Sequence, residues 1–336
     1  MRVGIDISQT VYEGTGVAAY TKNLVEKLLE IDKKNVYVLF GSSLRRRQKG
    51  FWPFPPTFLD LLWNRLHILP VENLIGKIDV FHSSDWTQPP TKAKKVTTIH
   101  DMVVYKFPHS SHSNIVTVQK RRLEWVKKEC DAVIAVSAST KKDIVEILGI
   151  DEKKIKVIYE ASNMQPPKEK YKPKKPYILA VGTREPRKNL DRLVKAFQSL
   201  KQKDVELIMV GNYKKVEVVN ALGYVSSEKL AELYSGALAL VYPSIYEGFG
   251  IPILEAFNCG CPVVTSNLSS MPEVGGKAAI YADPLSISDI AEKIDYVLDL
   301  SSSKRKELIE KGFSQAQKFS WENTAKETIK VYEELA

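Results

Sequence analysis

Cysteine is scarce in this chain: Cys130, Cys259 and Cys261 are its three thiols in 336 residues. They form neither an even disulfide framework nor a metal-spaced set, so they read as small buried residues of a reducing compartment. No apolar run approaches the roughly 18 residues that a bilayer span requires. The start, Met1 to Ile7, reads as a strand and lacks the shape of a secretory leader. Cytoplasmic residence is the expectation. No Gly-x-Gly-x-x-Gly follows the first strand directly, because Gly4 to Gly16 contains none, which argues against an NAD-linked dinucleotide enzyme. Repeats and low-complexity tracts are absent. Nucleic acid is not expected as a partner, since the basic residues form no repeated array and no known binding motif.

What is present suits a soluble protein of two domains. Hydrophobic residues make up 44% and charged residues 26%, enough to bury a sizeable core. Strands and helical patterns alternate twice over, which predicts parallel sheets with helices on both faces. RVGIDI, VYVLF, VFH, VTTIH, AVIAVS and IKVIY read as strands of the first half. YILAVG, VELIMVG, LALVYP and CPVVTS read as strands of the second. Between the halves, residues 160–176 carry four prolines and five lysines with no apolar period, a linker composition. The expected organisation is a first domain over 1–163, a linker over 164–176, a second domain over 177–319 and an amphipathic helix over 320–336.

The net charge is +9, and its distribution matters more than its sum. Around residues 45–63, Arg45, Arg46, Arg47 and Lys49 are interleaved with Phe51, Trp52, Phe54, Phe58 and Trp63. Such a stretch suits peripheral contact with an anionic membrane, at its inner face, or a basic loop followed by a core-packed helix.

The candidate chemistry clusters where strands give way to helices, the place where open α/β sheets bind ligands. In Tyr246-Glu247-Gly248-Phe249-Gly250-Ile251-Pro252-Ile253-Leu254-Glu255-Ala256, two acids stand eight positions apart. Proline is favoured in a first helical turn, so Pro252 places Glu255 in that turn and Glu247 in the loop before it. The amides of Gly248, Phe249 and Gly250 would add donors. Two acids beside an anion-friendly helix start suit a ligand with both hydroxyls and phosphate, namely a nucleotide sugar. A hydrolytic carboxylate pair fits less well. Gly14 and Gly16 sit between the first strand and its helix, where they permit close backbone approach to phosphate. His100 ends the strand before Asp101 and can donate a hydrogen bond to a sugar hydroxyl. His82 and Asp85 resemble it in placement, whereas His67, His109 and His112 have no supporting context. Gly182, Arg187 and Lys188 open the second half, where the two cations can bind a diphosphate and offset charge on a leaving nucleotide. Arg184 either shares that role or is exposed.

Taken together, GTGVAAYTKNL, TIHD, AVSASTKKDI, VGTREPRKNL and YPSIYEGFGIPILEAFNCGCPVVTSNLSSMPEVGGKAAIYADP resemble a retaining glycosyltransferase of family 4. The last block matches that family's Glu-x7-Glu signature and is the specific one. The resemblance implies an α/β GT-B fold of two Rossmann-like parallel-sheet domains facing a central cleft, with the C-terminal helix packing back on the first. It implies that Glu255 binds the donor ribose and that Glu247 lies near the transferred sugar. Arg187 and Lys188 would hold the diphosphate, Gly14 and Gly16 would face the donor phosphates, and His100 would contact the donor sugar. Glu273 matches a further family position of less defined role. The chain departs from the family at Ile158-Tyr159-Glu160-Ala161-Ser162, where many members read closer to Pro-Asn-Gly-Val-Asp. No Asp-x-Asp is evident and two cations stand near the phosphates, so neither a metal nor a cofactor is expected beyond the nucleoside diphosphate sugar as co-substrate. A sugar, with mannose from GDP-mannose one option, would pass to a hydroxyl of a glycan or lipid-linked acceptor with its anomeric configuration kept. The alternatives are another GT-B activity, such as a phosphorylase-like or epimerase-like reaction, and a catalytically idle sugar-nucleotide binding subunit.

Overall fold

A computed structural model describes residues 1–44, 50–169, 171–202, 204–213 and 217–336. The chain divides into two compact units, one of residues 1–160 with 321–336 and one of residues 161–320.

In the first unit, β1 (Arg2–Asp6), β2 (Val36–Ser42), β3 (Phe51–Trp52), β4 (Val80–Ser83), β5 (Lys94–Ile99), β6 (Ala132–Ala135) and β7 (Ile155–Val157) form one sheet. Its order is β3-β2-β1-β4-β5-β6-β7 and every pairing is parallel. Parallel strands covered on both faces are mostly apolar, and β4 and β6 are buried along their whole length. The helix Ala138–Leu148 is capped by Ser137, whose hydroxyl accepts from the Thr140 amide. The C-terminal helix Trp321–Leu335 belongs to this unit. Its buried face, Trp321, Thr324, Ala325, Thr328, Val331 and Tyr332, follows the three-and-four spacing of an amphipathic helix and packs against the helix Gly16–Ile31.

The aromatic stretch proves largely structural. Arg45, Arg46, Arg47 and Lys49 lie outside the described residues. Downstream, Trp63 is fully buried among Phe40, Leu59, Val71 and Phe81, and Arg65 pairs with Asp60 at 3.1 Å. Of the large apolar side chains from Phe51 to Trp63, Phe58 and Leu61 are exposed. Trp52, Phe54 and Leu62 are partly buried and pack against the same cluster.

The second unit repeats the plan with β8 (Tyr177–Val181), β9 (Glu206–Val210), β10 (Asn220–Gly223), β11 (Ala239–Tyr242), β12 (Val263–Ser266) and β13 (Ile280–Ala282). The order is β10-β9-β8-β11-β12-β13, again parallel. Helix Leu190–Gln198 buries Leu190, Leu193, Val194 and Ala196 against this sheet, each large side chain contributing roughly 1.5–3 kcal/mol. Residues 161–176 group with this unit: the Tyr171 amide donates to Ser235 Oγ at 3.2 Å, and its ring fills the space above Gly236. In each sheet the strand order reverses once, between β1 and β4 and between β8 and β11. Those reversals create crevices at the carboxyl ends of the strands.

Candidate functional site

The second unit's reversal gathers four residues of the sequence reading. Gly182, Arg187 and Lys188 follow β8, and Glu247 follows β11. A short 3-10 turn, Pro186–Lys188, precedes Asn189 in the left-handed region (φ 60°), and this sharp turn aims both cations inward. The buried Asn189 amide holds the bend by donating to the carbonyls of Pro243 (3.0 Å) and Pro284 (2.6 Å). Glu247 is 7% exposed and its two oxygens are divided between the cations. Arg187 Nη1 reaches Oε2 at 2.7 Å and Lys188 Nζ reaches Oε1 at 2.7 Å. The Tyr242 hydroxyl donates to Oε1 at 2.8 Å and accepts from Lys188 Nζ at 3.0 Å. Arg187 also pairs with Glu185 at 2.8 Å, so two cations stand against two carboxylates.

Burial by itself would raise the Glu247 pKa, but Lys188 and then Arg187 overcome it and hold the carboxyl at about 2. Burial likewise works against the charge of Lys188, and Glu247 reverses that, leaving the ammonium more firmly protonated than an ordinary lysine. Glu247 and Lys188 are therefore held ionised at neutral pH and geometrically fixed. The loop carrying Glu247 is held from behind, where Ser269 and Ser270 hydroxyls donate to its carbonyl at 2.6 and 3.0 Å. Ser270 also donates to the Phe249 carbonyl at 2.7 Å. Gly248, Phe249 and Gly250 are buried in this loop, and Gly250 (φ 111°) caps the helix Ile251–Asn258 in a conformation suited to glycine.

Glu255 requires a correction. The helix begins at Ile251 with Pro252 second, so its first turn contains no acid and Glu255 stands fifth, in the second turn. The proline marks the start correctly, but the distance from it to Glu255 exceeds one turn. There the carboxylate accepts from the Tyr234 hydroxyl at 3.0 Å. Burial raises its pKa, and the tyrosine bond opposes this only in part. Arg184 is largely exposed and pairs with Asp191 at 3.6 Å, outside the cluster. Gly182 is backed by Gly211: a Cβ on Gly211 would lie 2.1 Å from the Gly182 carbonyl oxygen, so the two loops touch backbone to backbone. Glu273 is half-buried, and its carbonyl lies 3.5 Å from the Gln315 amide.

The first unit's reversal gathers the others. Gly14 (φ 86°) and Gly16 open the helix Gly16–Ile31, and a Cβ on either would meet no atom within 4 Å. Thr15 caps that helix by accepting from the Ala18 amide at 3.2 Å. His100 follows β5 and its Nδ1 lies 2.7 Å from Glu160 Oε1. The ring stands edge-on to Tyr20, centroids 4.6 Å apart. It lines a small pocket together with Asp6, Tyr20, His82, Asp85 and Thr98. His82 is structural: its Nδ1 meets the Tyr332 hydroxyl at 2.6 Å and its Nε2 meets Thr98 Oγ1 at 3.0 Å, tying the C-terminal helix to the sheet. Burial, then the nearby positive charges of His100 and Arg122, push its pKa down to about 3, so it stays neutral. Asp85 pairs with the fully buried Arg122 at 3.4 Å. His67 is also accounted for, stacked on Trp125 at 3.6 Å.

Sequence reasoning missed Tyr242, Tyr234, Asn189 and the partner of His100. Tyr242 was signalled, being the last residue of an apolar strand and five positions before Glu247. Asn189 was signalled only by following two cations at a strand end. Among the described residues, no group of three or more His, Cys, Asp or Glu could hold a metal ion, and no helix is long and apolar enough to cross a membrane.

With this geometry in view, likeness to known proteins becomes specific. Residues 162–315 match the model of glycosyl transferases group 1, and residues 14–165 that of glycosyltransferase family 4. The chain is 32% identical over 289 residues to the O-antigen chain mannosyltransferase B of Escherichia coli, covering 76% of this chain and 74% of that protein. It is 33% identical over 209 residues to the O-antigen chain mannosyltransferase RfbU of Salmonella typhimurium, covering 58% of each. In fold it is similar to the sucrose-phosphate synthase of Thermosynechococcus elongatus, with a TM-score of 0.75 at 18% identity over 100% of this chain and 99% of the other. The architecture is GT-B. The chain belongs to glycosyltransferase family 4.

Proposed function

We propose that the protein is a retaining, metal-independent hexosyltransferase that moves mannose from GDP-mannose to a hydroxyl of a growing glycan or lipid-linked acceptor. The observation that carries this reading is the buried Glu247, which fixes Arg187 and Lys188 at the reversal point of the second sheet. Two preorganised cations can stabilise the charge that builds on a departing diphosphate without reorganising as it forms. Mannose is supported by the names of both mannosyltransferase relatives. Glu255 accepts from the ribose diol, Glu247 holds the sugar end of the donor, and His100 donates to a sugar hydroxyl. The amides of Gly248, Phe249 and Gly250 belong to the donor loop, with Gly14, Gly16 and Gly182 allowing close approach of backbone to phosphate.

In the reaction the bond from C1 of the sugar to the phosphate oxygen breaks, and a bond from C1 to the acceptor oxygen forms on the same face. The acceptor proton passes to the leaving phosphate, so no enzyme carboxylate acts as nucleophile. Glu247 suits this scheme, because a carboxyl held at about 2 by two cations is a poor base.

The test is a thermal-shift panel of nucleotide sugars followed by transfer assays with and without chelator. A ligand that binds the folded state raises its apparent stability. GDP-mannose is expected to give the largest shift, with turnover unchanged by chelator and abolished by Glu247→Gln. A larger shift with a UDP-sugar would overturn the donor, and chelator-sensitive turnover would overturn metal independence.

A further inference from the structure

Glu160 lies in the segment Ile158–Ser162 that follows β7. The segment leaves β7 under tight constraint. The Ile158 amide donates to the Ala135 carbonyl at 2.9 Å, and Thr324 of the C-terminal helix donates to the Tyr159 carbonyl at 2.8 Å. Ile158 and Ala161 are buried on either side. The Glu160 side chain, 8% exposed, is thereby delivered to His100 Nδ1 at 2.7 Å. The opposite constraint comes from Tyr20, whose ring is edge-on to the imidazole and whose hydroxyl lies 3.2 Å from Thr98 Oγ1. Carboxylate and tyrosine together fix the plane of the ring. Nδ1 is used up by this bond, while Nε2 has no hydrogen-bond partner among the described residues.

We propose that Glu160 is a positioning residue for glycosyl transfer: by holding Nδ1–H it fixes the orientation of His100 and favours its imidazolium, so that Nε2–H is a donor to an oxygen of the sugar being handled. The inference rests on His100 being a sugar contact and names the device that makes it effective. A histidine whose Nδ1–H is bonded to a carboxylate can offer Nε2 as an acceptor when neutral or as a donor when charged. The surrounding charges choose the second. Burial disfavours the imidazolium, but the Glu160 hydrogen bond and charge, then Asp85 and Asp101, outweigh it and raise the pKa above the ordinary histidine value. His82 stays neutral beside it, Tyr20 contributes a ring edge, and Arg122 is paired with Asp85 at 3.4 Å. A charge-assisted donor is roughly twice as strong as a neutral one.

The experiment compares Glu160→Gln, Glu160→Asp, His100→Asn and the Glu160→Gln/His100→Asn double variant. Glutamine keeps an acceptor for Nδ1–H but removes the charge. Imidazole resonances of His100, assigned with His100→Asn, are titrated by NMR without any substrate. In Glu160→Gln the His100 titration should move to lower pH by about one unit, which is a tenfold change in proton affinity. In transfer assays kcat/KM of Glu160→Gln should match the parent within about threefold at pH 5.5 and fall about tenfold further behind above neutrality, the alkaline limb moving to lower pH. Glu160→Asp, which keeps the charge, should keep the parent's alkaline limb at a lower rate. Added to His100→Asn, Glu160→Gln should have no further effect. An unmoved His100 titration overturns the proposal, and so does an equal loss with and without His100. If no sugar donor gives turnover, the glycosyltransferase reading fails, while the titration still decides the role of Glu160.

Discussion

Both units present a buried carboxylate 2.7 Å from a basic nitrogen at the carboxyl ends of a parallel sheet's strands, yet the two pairs are wired differently. In the second unit Glu247 is saturated, with Arg187 and Lys188 on its two oxygens and Tyr242 sharing one. The acid is the fixed post and the cations are what it presents. In the first unit the roles are reversed: Glu160 is the post and the ring of His100 is presented, with one nitrogen committed and one left. The difference teaches what each arrangement can do. A neutral cluster of two cations and two acids does not draw an anion by net charge. It offers positive groups at fixed places, which favours a transition state in which charge is spreading. A carboxylate–imidazole pair offers a single donor whose strength follows pH.

The largest expected effect breaks the saturated cluster. Lys188→Ala should lower kcat/KM on the order of a thousandfold. It should also destabilise the second unit by roughly 3–5 kcal/mol, because it strips compensation from a buried carboxylate. Lys188→Met combined with Glu247→Gln should recover much of that stability in urea denaturation but none of the turnover, which separates holding the fold from doing the chemistry. Should the double variant be as inactive yet no more stable than Lys188→Ala, the cluster does not act as one electrostatic unit. Binding of the nucleoside diphosphate to Glu247→Gln alone, read by calorimetry, should be equal or tighter than to the parent, since two cations then face one fewer acid.

A smaller effect distinguishes the glycines of the two units. Gly211→Ala forces a Cβ to 2.1 Å from the Gly182 carbonyl oxygen at φ +115°, and should cost about 3 kcal/mol or more by thermal denaturation. Gly14→Ala meets no atom within 4 Å and bears only its positive φ, about 1 kcal/mol. Its effect should instead fall on KM for the donor. If Gly14→Ala leaves KM unchanged, the open helix start is not approached by phosphate.

Much of this was legible in the sequence, for reasons that also explain the remainder. Central strands such as β6 and β11 are buried along their whole length and announce themselves as apolar runs. The edge strands β3, β10 and β13 are short, and a sequence such as Asn220–Gly223 carries no such signal. Glu247, Arg187 and Lys188 were legible because they stand at the ends of strands that announce themselves. The fifth-residue position of Glu255 was not, because a proline marks a helix start only to within a turn. Glu160 could be seen as a departure from the family's pattern, but not as a partner of His100. Sixty residues separate the two, and only the adjacency of β5, β6 and β7 brings them together.

The smallest effect sets the acid limits of the two units against each other. His82 has its pKa depressed from 6.5 to about 3 by burial and nearby positive charge. The unfolded chain therefore binds a proton there that the folded chain refuses. Its contribution is complete above pH 6.5 and is lost as pH falls toward 3, by about 1.4 kcal/mol per pH unit at most. His100 does not oppose this, because its raised pKa contributes fully below 6.5 and is lost only as pH rises. Glu247, depressed from 4.5 to about 2, contributes fully above 4.5 and loses its share only below that. The first unit should thus weaken between pH 6.5 and 5 while the second holds. Hydrogen exchange resolved by segment should show earlier loss of protection in β4 and the C-terminal helix than in β8 and β11. His82→Asn, which removes the titrating ring, should flatten that dependence in the first unit alone. A parallel loss in both units over this range would mean that the His82–Tyr332 bond does not govern how the C-terminal helix is held.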